Sequence, residues 1–160
     1  MHVDPLEKKW MYVVAFITVV MVGSMTYAAI KMNLHPPSNV EAIDPKTLHL
    51  SGEFTEDNLG VTTNEDGSIT VRMVAARYSF YPQMIEVPVD TPVTFRITSP
   101  DVLHGVHVPF TNMSTMVVPG YVSEVTTSFP KEGEAQFLCN EYCGLGHDYM
   151  WSKLKVVAKD

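Results

Sequence analysis

The pattern of apolar and polar positions divides this chain into two regimes. Residues 10–30, WMYVVAFITVVMVGSMTYAAI, are 21 positions without a charged side chain, closed by Lys9 and Lys31. Wound as a helix at about 1.5 Å per residue, such a run reaches about 30 Å, the thickness of a bilayer core. Trp10, Tyr12 and Tyr27 lie near its ends, where amphipathic rings favour the headgroup level. The competing reading is a cleaved leader. The run is longer than an ordinary leader core, and Thr26-Tyr27-Ala28 is a poor cleavage site. A transmembrane helix over 10–31 is therefore expected. Lys8 and Lys9 before it, against Lys31 and the distant Lys46 after it, put residues 1–9 in the cytoplasm and the rest on the outer face.

The second regime is extended. Pro36-Pro37 and Asp44-Pro45 remove backbone donors and favour extended chain, so residues 32–48 read as a semi-rigid, proline-rich stalk. Beyond it the period becomes two. Val93, Phe95 and Ile97 alternate with Thr94, Arg96 and Thr98, as in a half-buried strand. Val125, Thr127 and Phe129 alternate with Glu124, Thr126 and Ser128. Further strands are expected over 69–74, 83–87, 135–138 and 153–157, with turns at Asn64-Glu65-Asp66-Gly67, Pro119-Gly120 and Pro130-Lys131-Glu132-Gly133. No strong helical period follows Lys31. Residues 49–160 thus read as one all-β domain, a sandwich or Greek-key barrel.

Charge narrows the partners. The formal net charge is -7, and from Met32 onward 16 acidic residues face 8 basic ones. Such a surface repels phosphate, which argues against nucleic acid, and suits a basic protein partner.

The chemistry sits near the C-terminus. Cys139 and Cys143 are the two cysteines, too few for a disulfide framework and too close to close a useful loop, so they read as ligands or redox thiols. His147 and Met150 follow within the same twelve residues. Two thiols, an imidazole and a thioether form the soft donor set that copper prefers. Gly144 and Gly146 let the backbone fold tightly between Cys143 and His147. A second imidazole has to come from His104 or His107. Three residues apart, they point to opposite faces of a strand, and parity does not choose between them. Zinc held by two cysteines and two histidines is the main alternative, but it has no use for Met150. A blue single-copper site needs one cysteine, whereas two thiolates can bridge two metals.

At these residues a family resemblance becomes specific. Pro100-Asp101-Val102-Leu103-His104-Gly105, then Val118-Pro119-Gly120, then Cys139-Asn140-Glu141-Tyr142-Cys143-Gly144-Leu145-Gly146-His147-Asp148-Tyr149-Met150, resembles subunit II of cytochrome c oxidase. The resemblance implies a cupredoxin-like Greek-key barrel carrying a binuclear copper centre, Cu(A). His104 and His147 would each ligate one copper, Cys139 and Cys143 would bridge both, and Met150 and the Glu141 backbone carbonyl would be weak ligands. It also implies a c-type cytochrome as donor, a haem in subunit I as acceptor, and a bacterial plasma membrane as location. The single hydrophobic span resembles the smaller B-type (ba3-like) oxidases. Nitric oxide reductases of the same superfamily, or an anchored single-copper carrier, are the alternative settings.

The chain departs from the commoner pattern at two places. It lacks the tryptophan-rich aromatic segment, and Tyr78, Phe80 and Tyr81 stand in that region. In many family members the side chain at the position of Glu141 reaches magnesium or manganese. Here a Glu141 carboxylate without metal is expected. Burial of the site beneath Leu145, Tyr149 and Trp151 is expected to exclude water.

Overall fold

The computed structural model describes residues 4–31 and 38–159, in two separate compact units. Part of the expected stalk, residues 32–37, lies outside the described residues. The first unit is helix α1, Pro5–Lys31. Asp4 caps it, its Oδ1 accepting the backbone N–H of Leu6 at 2.8 Å, and Pro5 takes the first helical position, where no amide hydrogen is needed. The helix therefore starts five residues before the charge-free run. Thr18, Ser24 and Thr26 donate their hydroxyls to the carbonyls of Val14, Met21 and Val22 at 2.9, 2.8 and 2.8 Å. Such internal pairing is what an apolar solvent demands. None of its residues is buried, and the helix is long and apolar enough to cross a bilayer.

Among the described residues the second unit has eleven strands: β1 Ser38–Ala42, β2 Gly60–Thr63, β3 Ile69–Ala76, β4 Ser79–Tyr81, β5 Met84–Pro88, β6 Val93–Thr98, β7 His104–His107, β8 Ser114–Val117, β9 Tyr121–Thr127, β10 Gly133–Leu138 and β11 Trp151–Val157. One sheet runs β1-β9-β6-β3-β2, with β4 paired to β3, and the other runs β5-β11-β10-β7-β8. The pairs β3 with β6 and β5 with β11 are parallel, and the remaining pairs are antiparallel. This is the mostly-β, cupredoxin-like fold that was expected.

The alternating residues do what their period predicts. Val93, Phe95 and Ile97 are fully buried, as are Val71, Met73 and Ala75 beside them on β3. Phe95 meets Phe137 of the opposite sheet edge-on, ring centroids 5.5 Å apart, so aromatic contact ties the two sheets together. Thr98 is the exception among the polar positions of β6, fully buried with its hydroxyl donating to the Tyr121 carbonyl at 3.0 Å, whereas Thr94 and Arg96 are partly exposed on the face opposite Val93, Phe95 and Ile97. There Arg96 binds Glu41 at 2.6 Å, Glu53 at 2.5 Å and Glu124 at 2.7 Å.

Residues 38–48, expected as part of the stalk, pack with the β-domain instead. Ser38–Ala42 pairs with β9 rather than standing clear of the domain, and Glu41 is held there by Arg96. A 3-10 stretch, Pro45–Leu50, follows, its start capped by Asp44 accepting the Lys46 N–H at 3.0 Å. Leu48 and Phe54 are buried. Residues 38–48 thus belong to the β-domain, because they bring both a strand partner and apolar anchors. The second expected alternation also ends early: β9 stops at Thr127, and Phe129 packs into the core from the following loop.

Candidate metal centre

The twelve-residue segment 139–150 joins β10 to β11, and the ladder between these strands clamps its ends. The Cys139 N–H donates to the Met150 carbonyl at 3.1 Å. Inside this frame the chain folds back through a 3-10 turn, His147–Tyr149, with the His147 N–H on the Gly144 carbonyl at 3.1 Å. Gly144 has φ +129°, a conformation that L side chains rarely adopt, so the turn requires glycine there.

The fold brings the six expected residues to one place. Cys139 Sγ and Cys143 Sγ lie 3.9 Å apart, and both thiols are free. Each has an imidazole beside it: His104 Nδ1 is 3.9 Å from Cys139 Sγ, and His147 Nδ1 is 3.6 Å from Cys143 Sγ. Met150 Sδ is 3.6 Å from Cys143 Sγ, and the Glu141 carbonyl oxygen is 3.3 Å from Cys139 Sγ. His104 is fully buried at the start of β7 and faces the thiols. His107 lies outside the cluster, opposite Ser114 and Leu138. The choice that strand parity left open falls on His104. Among the described residues, His104, Cys139 and Cys143 form the only close group of three or more His, Cys, Asp or Glu donors, and the Glu141 carboxylate joins none.

The thiols differ in acidity. Burial pushes the Cys139 thiol up, but contact with His104 and the N–H of Gly105 outweigh it and bring it down below the ordinary thiol value. Cys143 is pushed up, first by burial and then by the neighbouring Cys139 charge. Two thiolates this close repel unless a cation lies between them. The donor set, two thiols, two imidazoles, a thioether and a carbonyl, fits copper well and zinc poorly.

Two contributions were not read from the sequence. Asp101 Oδ1 lies 2.9 Å from His104 Nε2. Asp101 stands in the quoted motif, but only the fold shows its carboxylate meeting the imidazole. Tyr78 lies against Gly144 and Gly146, a contact between segments too distant in sequence to leave a local signal. Of the other two aromatic candidates, Phe80 is fully buried and Tyr81 is exposed. The expected apolar cover is corrected as well. Leu145 is 95% exposed, Tyr149 80% and Trp151 44%. The loop turns its donors inward, and geometry then forces these neighbours outward.

Comparison with known proteins agrees with this geometry. Residues 66–157 match the family model for the cytochrome c oxidase subunit II periplasmic domain. The chain is 35% identical over 152 residues to a cytochrome c oxidase subunit 2 of Thermus thermophilus, covering 94% of this chain and 90% of that protein. A second Thermus thermophilus subunit 2 is 39% identical over 121 residues, covering 76% and 90%. A chain from the cryo-EM structure of a haem-copper terminal oxidase dimer superposes with a TM-score of 0.75 at 26% identity, over 95% of this chain and 99% of that one. The periplasmic domain of subunit II from Bradyrhizobium japonicum shares the fold at a TM-score of 0.52 and 20% identity, covering 56% and 83%. By sequence match and by shape along nearly its whole length, this chain belongs to the cytochrome c oxidase subunit II family.

Proposed function

We propose that this subunit is the electron-entry point of its oxidase, holding a binuclear Cu(A) centre through His104, Cys139, the Glu141 carbonyl, Cys143, His147 and Met150. When bound, the copper pair would take one electron at a time from a c-type cytochrome and pass it to a haem in subunit I. The observation that carries the reading is the pairing of donors. Two free thiols 3.9 Å apart each have their own imidazole, which suits two metals sharing two sulfurs better than one metal of either kind.

The chain's own residues supply rigidity. Both ends of the ligand loop are held by the β10 and β11 ladder, and His104 starts a strand of the same sheet. Donors fixed to a sheet move little when charge changes, which favours fast electron transfer. Exposed Tyr142, Leu145 and Tyr149 on the ligand loop offer the donor an apolar landing. Helix α1 anchors the subunit, with residues 1–9 in the cytoplasm and the β-domain on the outer face. Lys8 and Lys9 ahead of the apolar run support that direction.

Copper content and EPR test the proposal. The full chain in detergent, its thiols reduced before copper is added and the loaded chain then left oxidised, is expected to hold two coppers and to show one unpaired electron shared equally by both. One copper per chain, or a stable colourless zinc form that copper does not displace, would reject it.

A further inference from the structure

The crest of the ligand loop, residues 144–146, separates Cys143 from His147, and its central side chain, Leu145, points to solvent. One ring lies against this crest. A Cβ placed on Gly144 would stand 2.6 Å from Tyr78 Oη, and one on Gly146 would stand 2.5 Å from Tyr78 Cδ2. For both glycines, the three nearest atoms all belong to Tyr78. The phenol therefore spans the crest, its hydroxyl end at Gly144 and its Cγ end at Gly146. The two glycines have different reasons to lack a side chain. Gly144 is confined by its φ of +129°. Gly146, at φ -95° and ψ 12°, has a backbone open to L residues. The ring is what excludes a side chain there.

The residue before Tyr78 reaches the other half of the site. The Arg77 N–H donates to Asp101 Oδ2 at 2.8 Å, and the second oxygen of that carboxylate faces His104 Nε2 at 2.9 Å. The short connection between β3 and β4 thus touches both donor pairs. Arg77 reaches His104 through Asp101, and Tyr78 reaches Cys143 and His147 through the crest.

We propose that Tyr78 is a positioning residue whose ring braces the Gly144 and Gly146 crest and so fixes Cys143 and His147 opposite His104 and Cys139. The brace is van der Waals contact by a flat ring, so phenylalanine should replace it. The inference rests on the copper reading of this loop, but the crest can be tested without metal.

The test uses the full chain in detergent, metal-free and reduced, with iodoacetamide alkylation of the buried Cys143 followed by peptide mass mapping. Tyr78→Ala is expected to raise the Cys143 rate at least tenfold. Tyr78→Phe is expected to stay within twofold of the parent. Val93→Ala, a core truncation at the far end of β6 from Asp101, is also expected to stay within twofold. Gly146→Ala should raise the rate in the parent but add little in the Tyr78→Ala background, because the overlap is then gone. If Tyr78→Ala does not fold, Tyr78→Leu replaces it in both arms. In the copper-loaded chain, loss of copper to a chelator should follow the same order.

A Tyr78→Ala rate within twofold of the parent would overturn the proposal. So would independent effects of the Tyr78 and Gly146 changes, or a Val93→Ala rate equal to that of Tyr78→Ala. The expected alkylation pattern in a chain that takes up no copper would support the brace and reject the copper reading.

Discussion

Asp101 holds His104 by its far nitrogen: Oδ1 lies 2.9 Å from Nε2, leaving Nδ1 to face Cys139 Sγ. A carboxylate in that position fixes the tautomer and orientation of a ligating imidazole and strengthens it as a donor. Burial favours the neutral acid. Even so, donation by Arg77 N–H, His104, Val102 N–H and Ser99 keeps the Asp101 carboxyl down at about 2. The aspartate is therefore charged at every pH at which an oxidase works.

Asp101→Asn should then weaken copper binding without unfolding the domain. The amide keeps one accepting oxygen, which can face His104 while the Arg77 N–H loses its acceptor, and the charge behind the imidazole is gone. Loss of such an outer partner typically lowers metal affinity by about 10- to 100-fold. Competition against a chelator of known affinity measures this. A change below about threefold would mean that the β7 backbone alone orients His104.

Cys143→Ser should abolish the shared-electron signal. Cys143 Sγ has Cys139 Sγ, His147 Nδ1 and Met150 Sδ within 3.9 Å, so it is the hub of the donor set. A serine hydroxyl does not supply a soft bridging thiolate. The variant's EPR spectrum should lose the pattern of one electron spread equally over two coppers. Its persistence would show that Cys143 does not bridge.

Met150→Leu should keep copper but move its potential. Met150 is almost fully buried, and its sulfur is 3.6 Å from Cys143 Sγ, so the side chain serves both core and site. Leucine fills a similar volume, and such swaps usually cost less than about 1.5 kcal/mol. Redox titration of the copper-loaded chain should show a shifted midpoint with the metal stoichiometry unchanged. Complete loss of metal would mean that the thioether is a primary ligand.

What could be read beforehand follows from how far each signal reaches along the chain. The Val93, Phe95 and Ile97 alternation is local, and it gave a buried strand as expected. The cluster of Cys139, Cys143, His147 and Met150 is also local, since one loop carries all four. Strands of three to five residues, such as β1, β2, β4 and β8, hold too few positions to display a period. β1 was further masked by the prolines beside it. His104 could be paired with the thiols only through family resemblance, because parity is symmetric between it and His107. The outward turn of Leu145 and Tyr149 reverses the usual rule that apolar side chains lie inside. Nothing in the loop's composition records that four of its side chains must converge on one point, leaving the rest no interior to occupy.

Glu53 predicts an acid-sensitive step away from the metal centre. Its carboxylate accepts from Arg96 Nε at 2.5 Å and Nη2 at 3.0 Å, with Arg72 3.4 Å away. The bonds from Arg96 outweigh burial and hold the Glu53 carboxyl below its ordinary value of 4.5. A carboxyl depressed in the folded state stabilises the fold fully above its unfolded value and loses that contribution as pH falls through its folded value. Glu53→Gln keeps one acceptor but no charge. At pH 7 it should be less stable than the parent by about 1–2 kcal/mol, a partly exposed charged pair being worth less than a buried one. Below pH 4.5 the difference should shrink, because the unfolded parent then takes up a proton at Glu53 that the folded parent binds only at lower pH. Urea unfolding of both chains from pH 7 to about pH 3 measures the gap. A gap that stayed constant across that range would show that Glu53 acts through shape rather than charge.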